Sequence, residues 1–194
     1  MENNEKKFNP EESLKLIDDM ITTAKGNIKD GSFYFLLWAW IVIAGSLGHY
    51  ILLKFTTFEH PYIAWSVIFV GIILSMVHGF MQSKRDKVTS HIEKVYVFIW
   101  FAFLISYFII GFFSSKINYQ ITPIVFILSA NATFLSGIII KFKPLIFGGI
   151  FMWVAAIITF FLSPENQLLS IPIIVTFGYL IPGYILRCKE KKDV

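Results

Sequence analysis

The sequence predicts an all-α, polytopic membrane protein: six transmembrane helices with both termini cytoplasmic, preceded by an amphipathic N-terminal helix. Three observations carry this reading. The 194 residues are 56% hydrophobic, 18% aromatic and only 15% charged, with mean hydropathy +0.66, and so little polar surface cannot cover a soluble globule of this size. The apolar residues gather in six runs that contain no Asp, Glu, Lys or Arg. The basic residues collect at alternate ends of those runs, as the positive-inside rule requires.

Residues 1–8 are polar, and Asn9, Pro10 and Glu12 then form a helix start: a capping side chain, a proline at the first helical position and an acid three residues after the cap. A helix is predicted from Pro10 to about Asp30. Leu14, Ile17, Ile21, Ala24 and Ile28 recur at steps of three and four, so they line one stripe, while Glu11, Lys15, Asp18, Lys25 and Lys29 lie elsewhere. Such a stripe lies in the headgroup layer or folds back on the bundle, or it pairs with a helix of a second copy or a cytosolic partner.

The first span, Phe33 to Leu53, closes on Lys54, and its length covers the roughly 30 Å of a bilayer's hydrocarbon. With no cleavable leader in the first thirty residues, it is expected to serve as the insertion signal. The loop KFTTFEHP leads to a second span, Tyr62 to Met81. The linker 82–94 then precedes a third, Val95 to Phe113. The fourth runs Ile121 to Ile140, Pro144 marks a tight turn, and the fifth runs Leu145 to Leu162. The sixth, Leu168 to Leu186, precedes a basic tail. Three segments follow: a cytoplasmic segment 1–31, a six-helix domain 32–187 and a cytoplasmic tail 188–194. Of the seventeen Lys and Arg residues, fifteen fall in the N-terminal segment, the 82–94 linker, the 141–144 turn and the tail; Lys54 and Lys116 alone fall on the other side. Three parallel hairpins are also suggested by Trp38-Ala39, Trp100-Phe-Ala102 and Trp153-Val-Ala155, with Gly79, Gly137 and Gly183 near the ends of the even spans.

The spans lack the ionisable groups that coupled transport, voltage sensing and most intramembrane catalysis place at membrane depth. The candidate polar site is therefore Asn131 in the fourth span with Ser129 and Thr133, read as a helix-packing contact or as the lining of a solute path. Ser129, Thr133 and Gly137 recur every four residues, as do Gly71, Ser75 and Gly79. Pro172, Gly178, Pro182 and Gly183 predict a bend or break in the sixth span near Pro182, whose freed carbonyls form a second candidate site. His49, His60 and Glu59 are too irregularly spaced to argue for zinc, and His78 and His91 belong to the opposite side. One cysteine, Cys188, forms no internal disulfide, and nucleophile elbows and phosphate-binding glycine loops are missing. No catalytic residue, metal or cofactor is expected.

Partners follow from the same features. They are the lipid bilayer and, through residues 10–30, a protein partner or a second copy; scattered basic clusters do not argue for nucleic acid. The expected role is a non-catalytic membrane scaffold, sensor or regulatory component in a bacterial cytoplasmic membrane. The alternative is a transporter, channel or importer subunit for a small neutral solute. In size and threading the chain resembles the substrate-binding subunits of energy-coupling-factor importers, which also have six spans with both ends inside. No motif of that family is matched, so no residue role is carried over.

Overall fold

The computed structural model describes residues 31–83 and 91–192, and among them every regular element is helical. The predicted amphipathic helix and its seam, Leu14, Ile17, Ile21, Ala24 and Ile28, lie outside the described residues. In chain order the helices are α1 (Gly31–Phe55), a 3-10 segment (Pro61–Ser66) entering α2 (Val67–Ser83), α3 (His91–Phe112), α4 (Ile121–Ile139), α5 (Lys143–Thr159), α6 (Pro164–Val175), a π turn (Thr176–Leu180) and α7 (Ile181–Glu190). Five continuous helical segments are long and apolar enough to cross a membrane: Gly31–Phe55, Pro61–Gln82, Lys94–Phe112, Ile121–Ile139 and Pro164–Glu190. Helix α5, of 17 residues, is apolar but shorter.

Helix α1 is the axis of the bundle, touching α2, α6, the π turn and α7, while α4 and α5 form the closest pair. The core is built from Phe35 and Ala39 of α1, Phe126 and Ala130 of α4, Met152 and Ala156 of α5, and Val175 and Tyr179 of the last span. Against lipid the hydrophobic effect no longer drives helices together, so close van der Waals packing must. Glycine supplies the closeness here. A Cβ on Gly149 falls 2.8 Å from Phe134 Cβ and 2.9 Å from Phe134 N, and one on Gly137 falls 2.7 Å from Ile146 N. On the other side of α5, a Cβ on Gly148 meets the Gly178 carbonyl at 2.8 Å. Three backbones therefore meet where side chains would otherwise hold them apart.

Helix α4 turns into α5 through a Schellman motif, in which Phe142 N–H donates to Gly137 O at 2.8 Å and Lys141 N–H donates to Ile138 O at 3.1 Å. Lys141 occupies the left-handed position at φ 54°, where glycine is usual, and Pro144 follows in the first turn of α5. The second span starts as a 3-10 segment rather than as α-helix from Tyr62. Pro61 opens that segment, and its Ala64 and Trp65 lie against Gly48 and Gly45 of α1.

Contacts sort the chain into two ends. At one end the Ser32 hydroxyl and backbone N–H both donate to the Glu190 carboxylate, Phe33 stacks on His78 at 4.0 Å, and the Lys189 ammonium lies 5.9 Å from the Phe142 ring. At the other, Trp65 Nε1 donates to His49 Nδ1 at 3.0 Å, Gln167 Nε2 donates to Gln120 Oε1 at 2.9 Å, and Lys54 pairs with Glu165 at 2.7 Å. Lys54 sits in the last turn of α1 and Glu165 in the first turn of α6, so each also faces the helix-dipole end that favours its charge.

Candidate functional site

The polar side chains of α4 divide between two faces. Ser129, Thr133 and Ser136 point inward and are buried. Thr133 Oγ1 donates to its own helix at Ser129 O, 2.6 Å away, and lies 4.0 Å from Met152 Sδ. Thr159 and Thr176 likewise donate to Ala155 O and Pro172 O, each four residues back. In a medium without water, a hydroxyl that returns its proton to the preceding turn satisfies itself. The Tyr179 hydroxyl faces those of Ser129 and Thr133 without reaching hydrogen-bond geometry, and together with Ser136 Oγ it is buried without a partner.

The sixth span was expected to bend or break at Pro182. It does not break: it runs as one helical segment from Pro164 to Glu190 and accommodates Pro182 by widening just ahead of it. Pro182 has no N–H for the carbonyl four residues back, that of Gly178. Ahead of it the register slips: Ile181 N–H donates to Thr176 O, five residues back, and the π turn Thr176–Leu180 takes up the extra residue. The turn swings Tyr179 into the core and leaves the Gly178 carbonyl facing Gly148. Pro182 is buried, and its ring lies against the same glycine at 3.4 Å from a built Cβ. The carbonyl freed by proline is thus covered by neighbouring backbone.

Asn131 does not join Ser129 and Thr133. Two residues from each, it lies on the opposite face of α4 and is exposed, accepting a hydrogen bond at Oδ1 from Trp153 Nε1 of α5 at 3.1 Å. Trp153 is half-buried and packs its ring against Phe134, with centroids 5.1 Å apart. The predicted site is therefore two places: a buried hydroxyl cluster at the junction of α4, α5 and the π turn, and an amide on the outer surface.

Sequence reasoning gave Glu190 of the basic tail no role, yet it bonds Ser32 of α1. Its carboxylate accepts from both the backbone N–H and the hydroxyl of Ser32. The only signal in the sequence was an acid among bases. The histidines stay apart: His49 is held by Trp65, His60 by the Tyr62 hydroxyl at 3.0 Å, and His78 by Tyr34 at 3.3 Å. Among the described residues no group of three His, Cys, Asp or Glu could hold a metal. The three Trp-Ala pairs occupy unlike settings: Ala39 and Ala155 are buried but Ala102 is exposed. No family model, curated protein or solved structure matches this chain.

Proposed function

We propose that this chain is a non-catalytic component of a membrane assembly, a scaffold, sensor or regulatory subunit that presents residues 10–30 to a protein partner. We place it in a bacterial cytoplasmic membrane as six spans with both termini in the cytoplasm. Supporting the threading, the end of the bundle that holds the start of α1, the end of α2, the 141–143 turn and α7's last residues carries Lys141, Lys143, Arg187, Lys189, Lys191 and Lys192. At 17 residues α5 extends about 26 Å, and the turn through Phe160 and Phe161 lengthens it.

One observation carries the functional reading. The interior of the bundle is filled by backbone meeting backbone at Gly137, Gly148 and Gly149, and the hydroxyls of Thr133, Thr159 and Thr176 are spent on their own helices. A chain whose interior is occupied in this way acts through its surfaces, and the predicted amphipathic stripe ahead of α1 is the surface made for a partner helix. Deleting residues 1–30 is expected to abolish co-purification of the partner from detergent-solubilised membranes, while the truncated chain stays in the membrane fraction. Unchanged co-purification overturns the reading. A neutral-solute carrier is the second reading, favoured by the unpaired hydroxyls of Ser136 and Tyr179; there, solute uptake depends on those two side chains.

A further inference from the structure

The exposed residues of α4, Ile127, Asn131, Leu135 and Ile138, fall four, four and three positions apart and so form one outward stripe. Asn131 stands about 15 Å along the axis from the first residue of α4 and about 12 Å from its last. In the membrane this puts a primary amide near the middle of the hydrocarbon, on the outside of the bundle. Trp153 occupies one lone pair of Oδ1. Among the described residues both N–H groups of the amide and the second lone pair are unpaired. Lipid tails offer no partner for them, so a helix-to-helix contact is the setting in which such a group is normally found.

We propose that a second copy of this chain covers the α4–α5 face, joined by reciprocal hydrogen bonds between the two Asn131 amides. The choice of occupant follows from the amide's own chemistry. It is donor and acceptor at once, so beside a two-fold axis each copy donates an N–H to the other's Oδ1. A two-fold axis along the membrane normal keeps every residue at its own depth, and the second copy therefore brings its amide to the level required. An unrelated partner must supply a polar group of its own at that level. Trp153 holds the amide by its Oδ1 and leaves its N–H groups free to donate. Ile150 and Ile157, one turn on either side of Trp153 and both exposed, extend the apolar surface around the polar centre. This interface is independent of residues 10–30.

The full-length chain reconstituted in lipid vesicles tests this by energy transfer between labelled copies. The wild type is expected to dimerise, Asn131→Leu to weaken the apparent dissociation constant roughly tenfold or more, and Asn131→Gln to retain most of the affinity. Because Asn131 is exposed, the Leu variant keeps the packed face of α4, and a helical circular-dichroism spectrum equal to that of the wild type checks this. In a Cys188→Ser background, Leu135→Cys is expected to give a covalent dimer on mild oxidation and Ile173→Cys, on α6, to give none. A monomeric wild type, full-strength dimerisation by Asn131→Leu, or equal cross-linking at both positions overturns the proposal. Partner capture by residues 1–30 is expected to survive Asn131→Leu, which separates failure of this interface from failure of the proposed function.

Discussion

Glycine at 149 is fixed by what surrounds it. An added Cβ there meets Phe134 Cβ at 2.8 Å, Phe134 N at 2.9 Å and the Ala130 carbonyl at 3.0 Å, and two of those three atoms are backbone that cannot rotate away. Gly149→Ala must push α5 off α4, and a loss of about 1–3 kcal/mol is expected from overpacking. Gly111 supplies the contrast, since nothing lies within 4 Å of a Cβ built on it. Gly111→Ala is expected to change stability by less than about 0.5 kcal/mol. Unfolding in detergent, measured on both variants, checks the pair, and equal effects would refute the close α4–α5 contact. A bare sequence gives these two glycines the same status because both sit in apolar runs. What separates them is the neighbour, and neighbours are set by tertiary packing.

Single helices here depend on groups far away in the chain. Ser32 of α1 finds an acceptor for its backbone N–H in Glu190, 158 residues later. Glu190→Ala removes a charged acceptor shared by the backbone N–H and the hydroxyl of buried Ser32, for an expected loss of about 1–2 kcal/mol. Ser32→Ala should cost less, because the backbone N–H still donates to the carboxylate. The double variant should cost less than the two singly, as a shared bond requires. Thermal unfolding of the three variants in one detergent reads the coupling, and strict additivity would contradict the contact. The same dependence explains Pro182. Its missing N–H was legible in the sequence and pointed to a break, but the extra residue of the π turn, together with Gly148 against the Gly178 carbonyl, lets the helix continue. Local chemistry identified where the ladder of hydrogen bonds is interrupted; packing decided that the interruption is absorbed.

At the scale of the molecule, charge and contact agree on two ends. Lys141, Lys143, Arg187, Lys189, Lys191 and Lys192 gather with the Ser32–Glu190 contact, whereas Lys54 at the far end is paired with Glu165. Cys188 is exposed at the basic end and is the single cysteine of the chain, so it reports on threading without any mutation. In intact cells it is expected to resist a membrane-impermeant maleimide and to react once the membrane is permeabilised. Thr57→Cys in a Cys188→Ser background should behave in the opposite way. Labelling of Cys188 from outside intact cells would invert the proposed orientation.

Composition and the spacing of charges were enough to determine an all-helical chain with several helices able to cross a membrane, because the demand that lipid makes on backbone hydrogen bonds is met span by span. Those same properties could not tell the two faces of α4 apart. Ser129, Asn131 and Thr133 are neighbours in sequence and alike in polarity, yet a rotation of about 200° separates Asn131 from the hydroxyls on either side. Which face meets α5 and the π turn, and which is left for lipid or a second copy, was decided by glycine-mediated packing among helices, an outcome of the assembled bundle that no single span encodes.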